Sequence, residues 1–213
     1  MPARHRADAL RPRKQPLQTR AQETVRAIVR AAAQVFSSRG YAASTTNHIA
    51  ERAGVSIGSL YEYFPNKDAL LIALMEEHIL EGEAILAAAA IDAANTPGGL
   101  AAVVRQFVRA MVEFHARDRA LHRVLFEETP LPARVRRRLT DLEEQVTARV
   151  YGYLRGQPGV RRRDLALAAA VVVQTVEGLT HKLVLYGERD APVEPYIDEM
   201  VTLVTAYLTT PTL

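Results

Sequence analysis

Apolar residues recur at spacings of three and four along almost the whole of this 213-residue chain, and no alternating run is long enough to argue for a sheet, so the pattern predicts an all-α fold. A first helix starts at Thr19, carries Val25, Ile28, Val29, Ala32, Val35 and Phe36 in one stripe, and ends at Gly40. A short helix from Thr46 to Ala53 begins with a hydroxyl residue suited to an N-cap and puts Ile49, Ala50 and Ala53 on one face. Gly54 stops it, Val55 plugs the corner, and Ser56 caps a second short helix that runs to Phe64 with Leu60 and Phe64 inward. Pro65 closes that helix. A long one follows from Lys67 to about Ala90, with Leu70, Leu71, Leu74, Met75, Ile79, Ile85 and Leu86 inward, and a loop at Asn95, Thr96, Pro97, Gly98 and Gly99 ends it. Beyond the loop the expected helices are Leu100 to Ala116, Arg119 to Glu128, Ala133 to Leu154, Arg162 to Tyr186 and Tyr196 to Leu208.

The pair of short helices joined at Gly54 reads as a helix-turn-helix. Its second member leaves Ile57, Gly58, Ser59, Tyr61, Glu62 and Tyr63 largely outward, a set unlike the Lys, Glu and Gln of a merely solvated face. Hydroxyls there can donate to phosphate oxygens, while Ile57, Gly58 and Glu62 suit thymine methyls, base edges or a cytosine amino group. Asn47 and Ser56 flank this surface and belong to the DNA-facing set. Lys67 stands in the first turn of a helix, after a capping Asn66, where a cation opposes the dipole, so an anion such as a phosphate explains its placement.

The run GYAASTTNHIAERAGVSIGSLYEYFPNKDALL, from the Gly-Tyr pair through Leu-Tyr-x-Tyr-Phe to Asn-Lys-x-x-Leu, resembles the N-terminal domain of the TetR family of transcriptional regulators. The resemblance covers roughly Thr19 to Met75. It implies that the helix opening at Ser56 is the recognition helix, that Thr46, Tyr61, Tyr63 and Lys67 hold phosphates, and that Ile57, Gly58 and Ser59 face bases. Many relatives are polar or basic where Ile57 stands, so an apolar contact to a thymine methyl takes that place here. It further implies a homodimer that occupies an operator in double-stranded DNA, blocks transcription, and is released by a small organic ligand.

Charge distribution agrees with an anionic partner at one end. Within residues 1 to 52, ten Arg and Lys are opposed by three Asp and Glu, so with a net charge of +3 the remainder of the chain is acidic by four. Residues 1–17 are arginine-rich, contain Pro2, Pro12 and Pro16, show no helical period and are expected to be a disordered basic arm. Residues 18–66 form the expected helix-turn-helix domain and 67–213 a helical bundle for ligand sensing and dimerisation, with the long helix from Lys67 as a lever between them. The absence of cysteine excludes disulfides, thiolate metal sites and cysteine nucleophiles, and agrees with a cytoplasmic protein. The apolar runs Leu165 to Val173 and Ala84 to Ile91 fall short of the roughly 18 residues of a membrane span, so no membrane partner is expected.

No enzyme constellation stands out. No histidine follows a glutamate by three, and there is no His-Glu-x-x-His, no phosphate-cradling glycine loop and no Gly-x-Ser-x-Gly, so neither metal nor cofactor is expected. Glu177 and His181 lie on an otherwise apolar helix, where an ionisable pair is costly without a partner or a ligand. Two arrangements satisfy them. With Phe107, Met111, Phe114, His115 and Phe126 they line an apolar ligand cavity, or they pair across a dimer interface while those side chains are ordinary core. The same helix is apolar around most of its circumference, which fits either a buried central helix of a monomer or, as expected here, a second copy, with Ala166, Ala169, Ala170 and Gly178 allowing close approach beside the terminal helix. The runs Arg134, Arg136, Arg137, Arg138 and Arg161, Arg162, Arg163 read as solvated faces. Two other classes compete with the regulator: a helical-bundle carrier or enzyme with an incidental DNA-binding domain, and an architectural protein whose arm binds any DNA.

Overall fold

A computed structural model of the chain describes residues 19–95, 97–128, 131–188 and 191–211, and the expected basic arm over 1–17 lies outside them. The described residues form nine α-helices and no strand. They are α1 Thr19–Ala43, α2 Thr46–Ala53, α3 Ile57–Tyr63, α4 Lys67–Asn95, α5 Gly99–Ala116, α6 Arg119–Phe126, α7 Ala133–Leu154, α8 Leu165–Tyr186 and α9 Glu194–Thr209.

They divide into two compact units. Of the described residues, the first holds those up to Ile79 together with those within Ala120–Val135, so its boundary falls inside α4, and the second holds those within Leu80–Arg119 and those from Arg136 onward. The core of the first is the buried stripe of α1 (Ile28, Val29, Ala32, Val35, Phe36) with Ile49, Leu60, Phe64 and the inner face of early α4 (Leu70, Leu71, Leu74, Met75, Ile79). Burial of this many large side chains around short helices is what holds them helical, because eight residues alone are too few to be stable in water. Gly40 interrupts α1 with φ 72 and ψ 168, a backbone state open to glycine and strained for other residues, and the chain takes one more turn to Ala43.

In the second unit, Val108 and Val112 of α5 pack on Ile197, Met200 and Val201 of α9, and Ala168 and Ala169 of α8 pack with Leu154, Val204 and Leu208. A bidentate pair from Arg109 to Glu194, at 2.6 and 2.8 Å, ties α5 to α9 at the surface. The expected start of α8 at Arg162 is corrected to Leu165: the Asp164 carboxylate caps it by accepting from the Ala166 and Leu167 amides at 3.1 and 3.0 Å. Arg162 instead donates to the Tyr207 carbonyl and lies 4.0 Å from the centre of the Tyr207 ring. Of the small residues expected at a dimer seam, Ala169 is fully buried inside its own chain and is core.

Among the described residues α8 alone is long and apolar enough to cross a membrane by length and composition, and 22% of its most apolar stretch is buried in the chain. Leu167 and Tyr186 are 60% and 62% exposed. Glu177, His181 and Lys182 interrupt the apolar run, and the inward face packs on α5 and α9.

Candidate nucleic-acid interface

The turn between α2 and α3 is closed by backbone bonds that need a left-handed residue. Gly54, at φ 69, donates to the Glu51 carbonyl at 3.1 Å and Val55 donates to the Ala50 carbonyl at 3.0 Å, a Schellman closure in which glycine carries the positive φ without steric cost. The Thr45 hydroxyl, rather than that of Thr46, caps α2 by accepting from the His48 amide at 3.2 Å. This leaves the Thr46 hydroxyl free of the capping role, and it lies 2.9 Å from the Tyr61 hydroxyl on α3. Two of the residues expected to hold phosphates are thereby brought together from different helices. Arg52 donates to the Gln34 side chain at 2.6 Å and braces α2 against α1.

Ser56 caps α3, accepting from the Ser59 amide at 3.0 Å, and the two serine hydroxyls are 2.9 Å apart. Ser59 and Tyr63 are half-buried rather than outward, so the open face of α3 narrows to Ile57, Gly58, Tyr61 and Glu62. Ile57 is 38% exposed and Tyr61 40%, whereas Leu60 is wholly buried and anchors the helix beside Phe64. A Cβ built on Gly58 would meet only the Ser56 hydroxyl, at 3.7 Å, so nothing inside the chain requires glycine there. Asn47 is exposed beside this face at the start of α2.

Lys67 has partners within the chain. Its ammonium donates to the Tyr41 and Ser44 carbonyls at 2.9 and 3.2 Å and sits 4.2 Å from the centre of the Tyr41 ring. A cation at the carboxyl end of α1 complements that helix's dipole, which offsets its unfavourable place in the first turn of α4. Asn66 caps α4 by accepting from the Ala69 amide at 2.9 Å. The Tyr41 hydroxyl donates to Asp68, and burial together with that carboxylate raises the Tyr41 phenol above its ordinary range. Tyr41 is therefore a packing and hydrogen-bonding hub at the end of α1.

The residues expected at a ligand cavity fall in both units. In the second, His115 and His181 face each other with ring centroids 4.9 Å apart, and Phe114 meets His115 edge-on at 4.8 Å. His115 Nδ1 lies 2.8 Å from the Met111 carbonyl, which can only accept, so the neutral ring carries its proton on Nδ1. Phe114 packs over Gly82, where a Cβ would come within 3.2 Å of its ring. Phe107 and Met111 are half-buried. Phe126 belongs to the first unit, where it stands 4.5 Å from His122 and edge-on to His78 at 5.7 Å. Glu177 is exposed on α8, near Glu143, whose carboxylate accepts from Gln174 at 3.0 Å.

Titration in this unit has a definite sign. Burial lowers the pKa of His115, and burial reinforced by the His115 charge lowers that of His181 to about 4. Both are neutral near pH 7. The unfolded chain binds protons on them first, so their contribution favours folding above the ordinary histidine value and is lost as pH falls from about 6.5 toward 4. Glu177 lies at the surface of α8, but neighbouring parts of the chain take enough water from its carboxyl to raise the pKa, with Glu143 adding to the rise, so it works in the opposite direction. Thermal midpoints of the wild type should fall between pH 7 and pH 5, and those of His181→Asn should fall less. Equal slopes would remove His181 from the account.

Gln34, Tyr41, Asp68 and Glu128, whose pairings no local pattern in the sequence marks, make the hydrogen bonds that join the C-terminal half of α1 to its neighbours. The Gly-Tyr pair was visible as a motif, but the partners of Tyr41 were not.

The sequence matches the family profile described as "Bacterial regulatory proteins, tetR family" over residues 28–74 and that described as "Tetracyclin repressor-like, C-terminal domain" over residues 99–208. The HTH-type transcriptional regulator TtgR of Pseudomonas putida is 31% identical over 175 residues, 78% of this chain and 82% of that protein. The HTH-type transcriptional activator FasR of Mycolicibacterium smegmatis is 34% identical over 97 residues, 46% of this chain and 42% of FasR, so that alignment spans less than half of the relative's length. Among solved structures, a transcriptional regulator FadR from Bacillus subtilis in complex with stearoyl-CoA superposes with a TM-score of 0.65 at 21% identity, covering 86% of this chain and 99% of the other. That likeness is one of fold.

Proposed function

The chain belongs to the TetR family of bacterial regulatory proteins, and from that premise we propose that it represses transcription as a homodimer on a palindromic operator and is released by a small organic ligand. Residues 18–66 read the DNA and residues 67–213 dimerise and take the ligand. The observation that carries this reading is the outer face of α3: two large exposed side chains, Ile57 and Tyr61, beside a glycine with no internal reason to be one, on a helix anchored by Leu60. Such a face fits a major groove, with Tyr61 and Thr46 on phosphate and Ile57, Gly58 and Glu62 toward base edges. Lys67, held at the carboxyl end of α1, adds positive potential and a phosphate contact at the head of α4.

Dimerisation is supported by the apolar residues that α8 leaves exposed, above all Leu167. A two-fold pair sets its recognition helices about 34–36 Å apart, or a multiple of the turn, and so reads a palindrome. The neutral histidine pair and the half-buried Phe107 and Met111 support a ligand with an apolar portion, in keeping with the acyl chain of the stearoyl-CoA named for the FadR structure. A ten-fold loss of operator affinity requires that the ligand prefer the non-binding conformation by about 1.4 kcal/mol. Activation in place of repression is the alternative that the likeness to FasR favours, and transcription in vitro from the operator, with and without protein, separates the two by sign.

Tyr61→Phe, which removes the hydroxyl near Thr46 and keeps the ring, is the direct test. Affinity for the operator should fall by roughly three- to ten-fold with little change in stability. An unchanged affinity would take the hydroxyl pair out of the interface.

A further inference from the structure

We propose that Glu128 is a positioning residue for DNA reading: its carboxylate, carried just beyond α6, holds the break in α1 from which α2 and α3 take their direction. This rests on the DNA-binding function proposed above.

At Gly40 the backbone leaves helical geometry, so the following amide cannot rely on the carbonyl one turn back. The Tyr41 amide donates instead to Glu128 Oε2 at 2.7 Å, a partner 87 residues along the chain. The carboxylate lies close over the glycine, since a Cβ at residue 40 would stand 3.3 and 3.5 Å from its two oxygens. The rest of the break is held by neighbours of the reading helices. Ser44 donates its hydroxyl to the Gly40 carbonyl at 2.6 Å, Lys67 donates to the Tyr41 carbonyl, and the Tyr41 hydroxyl donates to Asp68. Opposite charges, Glu128 on the amide and Lys67 on the carbonyl, thus flank the backbone of one residue. Ser44 adjoins Thr45, the cap of α2, so the direction in which α2 sets out is fixed at this break.

Glu128 is itself exposed, but what precedes and follows it is anchored in the first unit. Val124 and Leu125 are each 1% exposed, His122 packs on Phe126, and Arg134 pairs with Glu76 of α4 at 3.2 Å. The segment from Ala120 to Val135 therefore belongs physically with the reading helices, although the helix-turn-helix family profile ends at residue 74. A displacement of this segment withdraws the carboxylate and frees the break, which makes the contact a point at which operator affinity can be set from outside the helix-turn-helix.

The test uses the full chain as wild type, Glu128→Ala and Glu128→Gln, with two duplexes of equal length: the one that wild type selects from a random pool, and a random sequence. Hydrogen exchange of the peptide containing Tyr41 is followed in the same samples. Glu128→Ala should bind the selected duplex about five-fold more weakly, bind the random duplex unchanged, and exchange faster at Tyr41. Glu128→Gln keeps an acceptor oxygen at the same reach and should stay within about two-fold of wild type. Wild-type affinity in Glu128→Ala, unchanged exchange at Tyr41, or equal loss in Glu128→Gln overturns the role. A wild type that selects no duplex overturns the functional reading along with it, whereas tight binding by both wild type and Glu128→Ala overturns this role alone.

Discussion

Gly58→Ala should yield a protein that is more stable when free and weaker on its operator. Residue 58 lies inside α3 without a positive φ, and an added Cβ would make one ordinary contact, with the Ser56 hydroxyl at 3.7 Å. Alanine is the better helix former by about 1 kcal/mol, so unfolding by urea should show a gain of roughly 0.5–1 kcal/mol. Glycine at this exposed position costs stability and gains nothing within the chain, which points to a close approach by something outside it. A methyl group pressed into a base edge or sugar costs about 1.4 kcal/mol or more of binding, a ten-fold or greater rise in Kd. The two measurements move in opposite directions, and a general disturbance of folding cannot produce that. Unchanged operator affinity would mean that α3 does not approach DNA at this point.

Leu60→Ala should separate reading from sticking. A seven-residue helix has almost no stability of its own, and Leu60 is the one fully buried side chain within α3, with Phe64 at its end. Truncating a buried leucine costs about 2–5 kcal/mol, according to how far the surroundings collapse into the space. Because Leu60 is also the anchor that sets the orientation of Ile57 and Tyr61, sequence preference should collapse together with stability. The arginines of α1, Arg26, Arg30 and Arg39, remain exposed on a long helix and should preserve weak, salt-dependent binding to any duplex. Retained discrimination between selected and random DNA in a protein destabilised by this amount would show that α3 is not the reading element.

The elements legible from residue order are those whose causes are local. The stripe from Ile28 to Phe36, the glycine stop at Gly54, the Ser56 cap and the Leu60–Phe64 anchor all follow from spacing within one or two turns. Adjacent threonines show where locality runs out. Thr45 and Thr46 have the same capping chemistry, and only the backbone direction selects Thr45 and turns Thr46 toward Tyr61. Lys67 illustrates a longer reach: its conflict with the α4 dipole was visible, while its carbonyl acceptors at Tyr41 and Ser44 come from a helix end more than 20 residues earlier. Ala169 is ambiguous in the sequence because small side chains suit both a dimer interface and a tight core, and the neighbours that decide between them, Val204 and Leu208, belong to another helix. Glu128 had no signature at all. Its partner is a backbone amide 87 residues away, and an exposed glutamate before a proline turn looks like any other.

The central claim is that this chain reads a sequence through α3 as a two-fold pair. It is tested most directly by selecting bound duplexes from a random pool with purified protein, then titrating the winner and a random duplex at two salt concentrations. The account predicts a palindrome, a preference over random DNA of at least about 10³-fold, and a salt dependence shared by both duplexes. Binding without an enriched sequence, equal for both duplexes and fading as salt rises, would contradict it.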